Sequence, residues 1–229
     1  MGNSAEVVKT TLVQRNPAHP TGDAKADFRY NSAPKILRSV ARVREGPPPL
    51  SNAQDMTIEN RIAGALAGMV LGDALGVPGE LWPREKVRAR FGHIDTFLDG
   101  PEDNIVACYF KAGHYTDDSA QAFVILKALL KAGTVPPVKV LADDLIAWVE
   151  SMNGFEINLL GPSSKASLLA HSRGEDYTKY TKLSLTNGAG MRIAPVGCLV
   201  DWNDSEKLAE TVARVSIVTH GTDVAIGGA

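Results

Sequence analysis

Thr116-Asp117-Asp118 sets a hydroxyl and two carboxylates side by side, where the polar loop at His114-Tyr115 gives way to an apolar run. Inside a helix, neighbours in sequence do not share a face; at a helix entry the backbone is still turning, and they can converge. Three converging hard oxygens suit a cation such as Mg2+. The same residue types are also favoured helix caps, and acids in a first turn offset the helix dipole. Local sequence leaves both readings open. Glu80 follows the glycine-bounded turn Gly76-Val77-Pro78-Gly79, a place where a carboxylate can be held for acid–base work or simply face solvent. Leu160-Gly161-Pro162-Ser163-Ser164-Lys165 precedes a helical run. Its backbone N–H groups could hold an anion, or a serine could serve as an ordinary N-cap. In Thr186-Asn187-Gly188-Ala189-Gly190-Met191-Arg192-Ile193-Ala194-Pro195, Asn-Gly marks a tight turn, Gly190 permits close backbone approach, and Pro195 is expected to break or kink the apolar segment after it. His220 closes a later helical run and reads as a C-terminal cap or dipole partner.

The elements that must position these groups read as helices. Thr57 caps a run from Ile58 to Leu75 in which Gly64, Gly68 and Gly72 recur, and several glycines in one helix predict close approach by a neighbour. Pro83 to Arg90 is a short charged helix. Asn104 to Lys111 alternates weakly and is the one strand candidate. After Thr116-Asp117-Asp118, Phe123, Leu126 and Leu130 mark an apolar face over Ala120 to Lys131. Val138, Leu141, Leu145, Trp148 and Met152 form a stripe in the next helix, with Asp143, Asp144 and Glu150 off it. Ala166 to Ser172 is helical, and Glu175 to Ser184 is a loop with one short helix. Asp204 or Ser205 caps a run with Leu208, Val212, Val215 and Val218 at helical spacing, and Thr222-Asp223 opens another helix. Helices dominate, which predicts an all-α, compact multi-helix bundle over residues 56–229. Residues 1–55, with Pro17, Pro20, Pro34 and Pro47-Pro48-Pro49, read as a disordered tail.

With 229 residues, 44% hydrophobic, and a formal net charge of −2, the composition is that of a globular chain without the basic footprint of a nucleic-acid or anionic-membrane binder. No apolar run is expected to reach membrane-spanning length. Cys108 and Cys198 are too few and too far apart for a disulfide scaffold, which points to a reducing, cytoplasmic setting. Phosphate-loop, HExxH and CxxC patterns are absent.

Taken in order, four blocks resemble the ADP-ribosylglycohydrolase family of dinitrogenase reductase-activating glycohydrolases and ADP-ribosylarginine and ADP-ribosylserine hydrolases. They are Arg61-Ile62-Ala63-Gly64 through Gly72-Asp73-Ala74-Leu75-Gly76 to Glu80, Tyr115 to Ser119, Asn187 to Pro195, and Val218-Thr219-His220-Gly221. The resemblance implies an Mg2+-dependent hydrolase that cleaves the glycosidic bond of ADP-ribose, on a protein side chain or in a related small molecule. It implies Thr116, Asp117 and Asp118 as metal ligands, with Asp117 also catalytic, and Glu80 as the acid near the scissile bond. Gly161, Ser163 and Ser164 would line the diphosphate, and Asn187, Gly188 and His220 the ADP-ribose cleft. Ribosyl cleavage needs a leaving-group proton and a poised water, and these residue types can serve both. Two Mg2+ ions are implied, the second held by a downstream Asp-x-Asp block that nothing after His220 supplies. The bundle is therefore expected to be incomplete at its C-terminus, or else a short form that binds ADP-ribose or serves structurally without turnover.

Overall fold

The computed structural model describes residues 57–157, 159–201 and 203–229; the expected tail lies outside them. Among the described residues there are nine α-helices and no strand: α1 (Ile58–Gly76), α2 (Arg84–Phe91), α3 (Asp117–Ala132), α4 (Val138–Ser151), α5 (Pro162–Ser172), α6 (Thr178–Thr181), α7 (Ala194–Leu199), α8 (Ser205–Ser216) and α9 (Asp223–Gly227). Short 3-10 turns occupy Val77–Gly79, Ala107–Tyr109 and Gly190–Arg192. The all-α expectation holds.

Caps fall where short polar side chains permit them. Thr57, Thr116, Asp204 and Thr222 each accept a backbone N–H of the helix they open. The main core joins α3, α4, α5, α7 and α8 through Ile125, Leu129, Leu141, Leu145, Val149, Leu168, Val196 and Val215. A smaller cluster of Val77, Ala107, Phe110 and Leu159 packs the turn after α1 against the segment before α5.

Several expectations are corrected. Asn104 to Lys111 is not a strand; it turns through Ala107–Tyr109, and Ile105 is exposed. Asn104 explains this: its Oδ1 accepts from Val106 N and Ala107 N, folding the chain back on itself. In α3 the buried face is Ala122, Ile125, Ala128 and Leu129, whereas Leu130 is 63% exposed. The glycines of α1 meet no close neighbour: a methyl added at Gly64, Gly68 or Gly72 would touch no described atom within 4 Å. The buried face is Leu66, Val70 and Ala74, half a turn away, and it packs toward α3 and α7. The stretch Ile58–Gly79, 22 residues with a mean hydropathy of 1.5 in its most apolar window, is long and apolar enough to cross a bilayer by length and composition, and 28% of that window is buried. Gly161, not a serine, is the N-cap of α5, and Pro195 lies in the first turn of α7, where proline is tolerated, rather than breaking a helix.

Candidate active site

Asp73, the lone acid late in α1, organises the start of α3. Its carboxylate accepts Thr116 N at 3.0 and 3.1 Å, Thr116 Oγ1 at 2.9 Å, Ser119 N at 3.1 Å and Ser119 Oγ at 2.6 Å. Thr116 Oγ1 in turn accepts Asp118 N at 3.2 Å. A side chain 43 residues away thus does part of the capping that an isolated helix would do for itself. Ser119 is fully buried by this arrangement.

The caps leave Asp117 and Asp118 half-buried beside Asp73, with Glu80 close enough to be felt. Burial, and then the charges of Asp118 and Asp73, push Asp117 up to about 8. Burial, Asp73 and Glu80 push Asp118 up to about 6. Glu80 is raised as well, by burial and by Asp73. None of the described ion pairs involves these three carboxylates. Glu80 is placed by its own carbonyl, which accepts Asn104 Nδ2 at 2.8 Å.

From Asp117 a buried polar chain runs across the molecule. Gln121 Nε2 donates to Asp117 Oδ2 at 2.8 Å, and Arg192 Nη1 donates to Gln121 Oε1 at 2.6 Å. Arg192 Nη2 donates to Thr219 Oγ1 at 2.7 Å. Thr219 Oγ1 lies 2.8 Å from His220 Nδ1, and His220 Nε2 lies 2.8 Å from Thr186 Oγ1. Gln121, Arg192, Thr219 and His220 have no exposed surface. His220 is therefore neither a helix cap nor an open wall; it supports the Asn187-Gly188 turn from beneath. Gly188 lies against its ring, so any Cβ there would collide with the imidazole. Burial, and then the Arg192 charge, hold His220 down at about 4, so it is neutral near pH 7.

The expected site residues thus fall into three sets. Glu80, Thr116, Asp117 and Asp118 converge around Asp73. Gly188 and His220 are in contact, with Asn187 exposed beside them, and the buried chain joins them to Asp117. Gly161, Ser163 and Ser164 open α5; Gly161 is exposed, Ser163 half-buried and Ser164 buried. Among the described residues no hydrogen bond ties them to either other set, although Leu159 and Val77 share a cluster that brings the approach to α5 near the Glu80 turn. Asp73, Gln121 and Arg192 hold the site together and were not among the expected site residues. Their signals were faint: a charge in an apolar helix and an arginine amid glycine, alanine and proline.

As a cation site the helix entry is partial. Among the described residues no group of three or more His, Cys, Asp and Glu is disposed to hold a metal. The oxygens here do suit a hard cation: Asp117 accepts from Gln121 through Oδ2, and Asp118 has local hydrogen bonds from Thr116 and its own backbone but no described ion pair. Carboxyls whose ionised forms are disfavoured by burial and by one another would be ionised more readily beside such an ion.

The chain is thus an all-α fold that gathers acidic side chains at the entry of a central helix. The chain belongs to the ADP-ribosylglycohydrolase family, whose model matches residues 54–229. It is 42% identical over 170 residues to the uncharacterized protein YegU of Escherichia coli (strain K12), covering 74% of this chain and 51% of that protein. It is 27% identical over 173 residues to the ADP-ribosylarginine hydrolase Tri1 of Pseudomonas putida (strain GB-1), covering 73% of this chain and 43% of Tri1. A solved structure described as an ADP-ribosylglycohydrolase-related protein complex shares the fold, with a TM-score of 0.57 at 24% identity over 74% of this chain and 52% of that one. The chain spans about half the length of the curated relatives it matches.

Proposed function

We propose that this chain carries the acid-bearing half of an Mg2+-dependent hydrolase that cleaves the glycosidic bond of ADP-ribose, on a protein side chain or in a related small molecule. The observation that carries this reading is the convergence of Glu80, Asp117 and Asp118, all raised in pKa, on one helix entry and outside every described ion pair. Thr116, Asp117 and Asp118 would hold the cation, which when bound would polarise water and ribose oxygens. A second ion, expected in the full family site, would need ligands beyond the described residues. Glu80, whose pKa is raised by burial and by Asp73, is suited to protonate a leaving group or to take a proton from water. Asp117, fixed through Oδ2 by Gln121, would act beside it. Asn187 and Gly188, backed by His220, would line the sugar-nucleotide cleft, and the Gly161–Ser164 backbone would receive the diphosphate. Two cysteines far apart in sequence suit the reducing, cytoplasmic setting expected of such an enzyme.

A second reading is favoured by the incomplete cation site: the chain binds ADP-ribose and does not turn it over. Incubation with ADP-ribosylated arginine or serine peptides and Mg2+, with released ADP-ribose measured by chromatography, decides between them. Release that disappears in Asp117→Ala supports the hydrolase. Binding of ADP-ribose without release supports the second reading, and neither binding nor release removes both.

A further inference from the structure

Arg192 fixes the direction of every hydrogen bond in the buried chain. A guanidinium only donates, and it keeps its proton. Because Arg192 Nη1 donates to Gln121, the amide must turn its oxygen to the arginine and its NH2 to Asp117. On the other side, Arg192 Nη2 occupies a lone pair of Thr219 Oγ1. The Thr219 hydroxyl is buried, and His220 Nδ1 is the acceptor within reach of its proton. A buried O–H left without an acceptor is strongly disfavoured, so Nδ1 must be the lone-pair nitrogen. The neutral imidazole then carries its proton on Nε2, which donates to Thr186 Oγ1. The Thr186 hydroxyl is filled from beneath and has its own proton to give. Thr186 is exposed and adjoins Asn187.

We propose that Thr186 is a ligand-binding hydroxyl that donates to an acceptor oxygen of the ADP-ribosyl ligand, and that Arg192 is the positioning residue that sets this polarity through Thr219 and His220. The ligand rests on the function proposed above; the polarity does not. It also places a donor at one end of the chain and a carboxylate fixed as an acceptor at the other, both before any ligand arrives.

Two measurements on the full chain test this. The first is 15N NMR of labelled histidine side chains, with His220 assigned by its loss in His220→Gln. The expected result is protonated Nε2 and lone-pair Nδ1, lost in Thr219→Val and kept in Thr219→Ser. Protonation at Nδ1 in the unsubstituted protein would overturn the polarity. The second is calorimetric binding of ADP-ribose with Mg2+ present. Thr186→Val should weaken it about tenfold, the loss of one hydrogen bond, and Thr186→Ser should restore it. Thr219→Val should weaken it in parallel while its far-ultraviolet spectrum stays native. Unchanged affinity in Thr186→Val overturns the ligand role. A failure of the unsubstituted protein to bind ADP-ribose overturns the proposed function and the ligand role together, and the tautomer still decides the polarity.

Discussion

Removing the Asp73 carboxylate should cost more than any single cap in this fold. Its oxygens accept from four donors at the entry of α3: two backbone N–H groups and two hydroxyls. Thr116 and Ser119 are buried, so water cannot readily replace the lost acceptor. A hydrogen bond to a charged group contributes about 1.5–3 kcal/mol net, and loss of an ordinary N-cap costs about 0.5–2 kcal/mol. The two hydroxyls can rotate to other acceptors, whereas the two N–H groups cannot. That leaves roughly 3–5 kcal/mol for Asp73→Ala. Part of this is offset, because Asp73 also raises Asp117 and Asp118, and its removal relieves that repulsion. A net loss of about 3 kcal/mol remains, equivalent to roughly 6–12 °C in a chain of this size. Asp73→Asn keeps one acceptor oxygen and should lose about half as much. Urea unfolding followed by far-ultraviolet circular dichroism measures both. An Asp73→Ala protein within about 0.5 kcal/mol of the unsubstituted chain would refute the claim that α3 is capped from α1.

Three further outcomes are expected. His220 sits at about 4 when folded against an ordinary 6.5, so it contributes stability above pH 6.5 that is lost as pH falls toward 4. That component, roughly 3 kcal/mol, should appear as the difference between urea curves of the unsubstituted protein and His220→Asn across this window. Mg2+ affinity should rise between pH 6 and 8 as Asp118 and then Asp117 give up protons to the cation, with proton release visible when calorimetry is repeated in buffers of different ionisation enthalpy; Asp118→Asn should abolish the lower part of the rise. Leu145→Ala, in the core, should cost about 2–5 kcal/mol, whereas Leu130→Lys should stay within about 0.5 kcal/mol by thermal melting.

Element types were largely legible in the sequence, because caps and apolar spacing are local signals. Thr57, Asp204 and Thr222 cap where they were expected to. The buried face of α3 was not legible. Val124, Ile125, Leu126, Leu129 and Leu130 are apolar on nearly every side, and the true seam uses Ala122 and Ala128, which look like filler in sequence. The turn at Asn104 was missed because one side chain replaced the backbone pairing that alternation suggested. Of the site, the acids stood out and their supports did not. Asp73 acts across 43 residues and Arg192 across 71 to Gln121, and nothing in a local window encodes such pairings. His220 looked like a helix terminus because it comes soon after α8; its role depends on Gly188 lying against it, a contact that only the folded chain makes.

The hydrogen bond from Asn104 to the Glu80 carbonyl closes a loop 24 residues long. Closing such a loop costs chain entropy of about 3 kcal/mol on length alone, more than the ~1 kcal/mol that one neutral hydrogen bond contributes. That bond cannot hold Glu80 by itself. The closure is shared with the pairing of Gly100 N to Phe110 O and with the packing of Val77, Ala107 and Phe110. The position of the Glu80 carboxylate is thus a collective property of residues 77–110. A substitution far from the site, in the apolar cluster beneath that loop, would release the acid as surely as a change beside it.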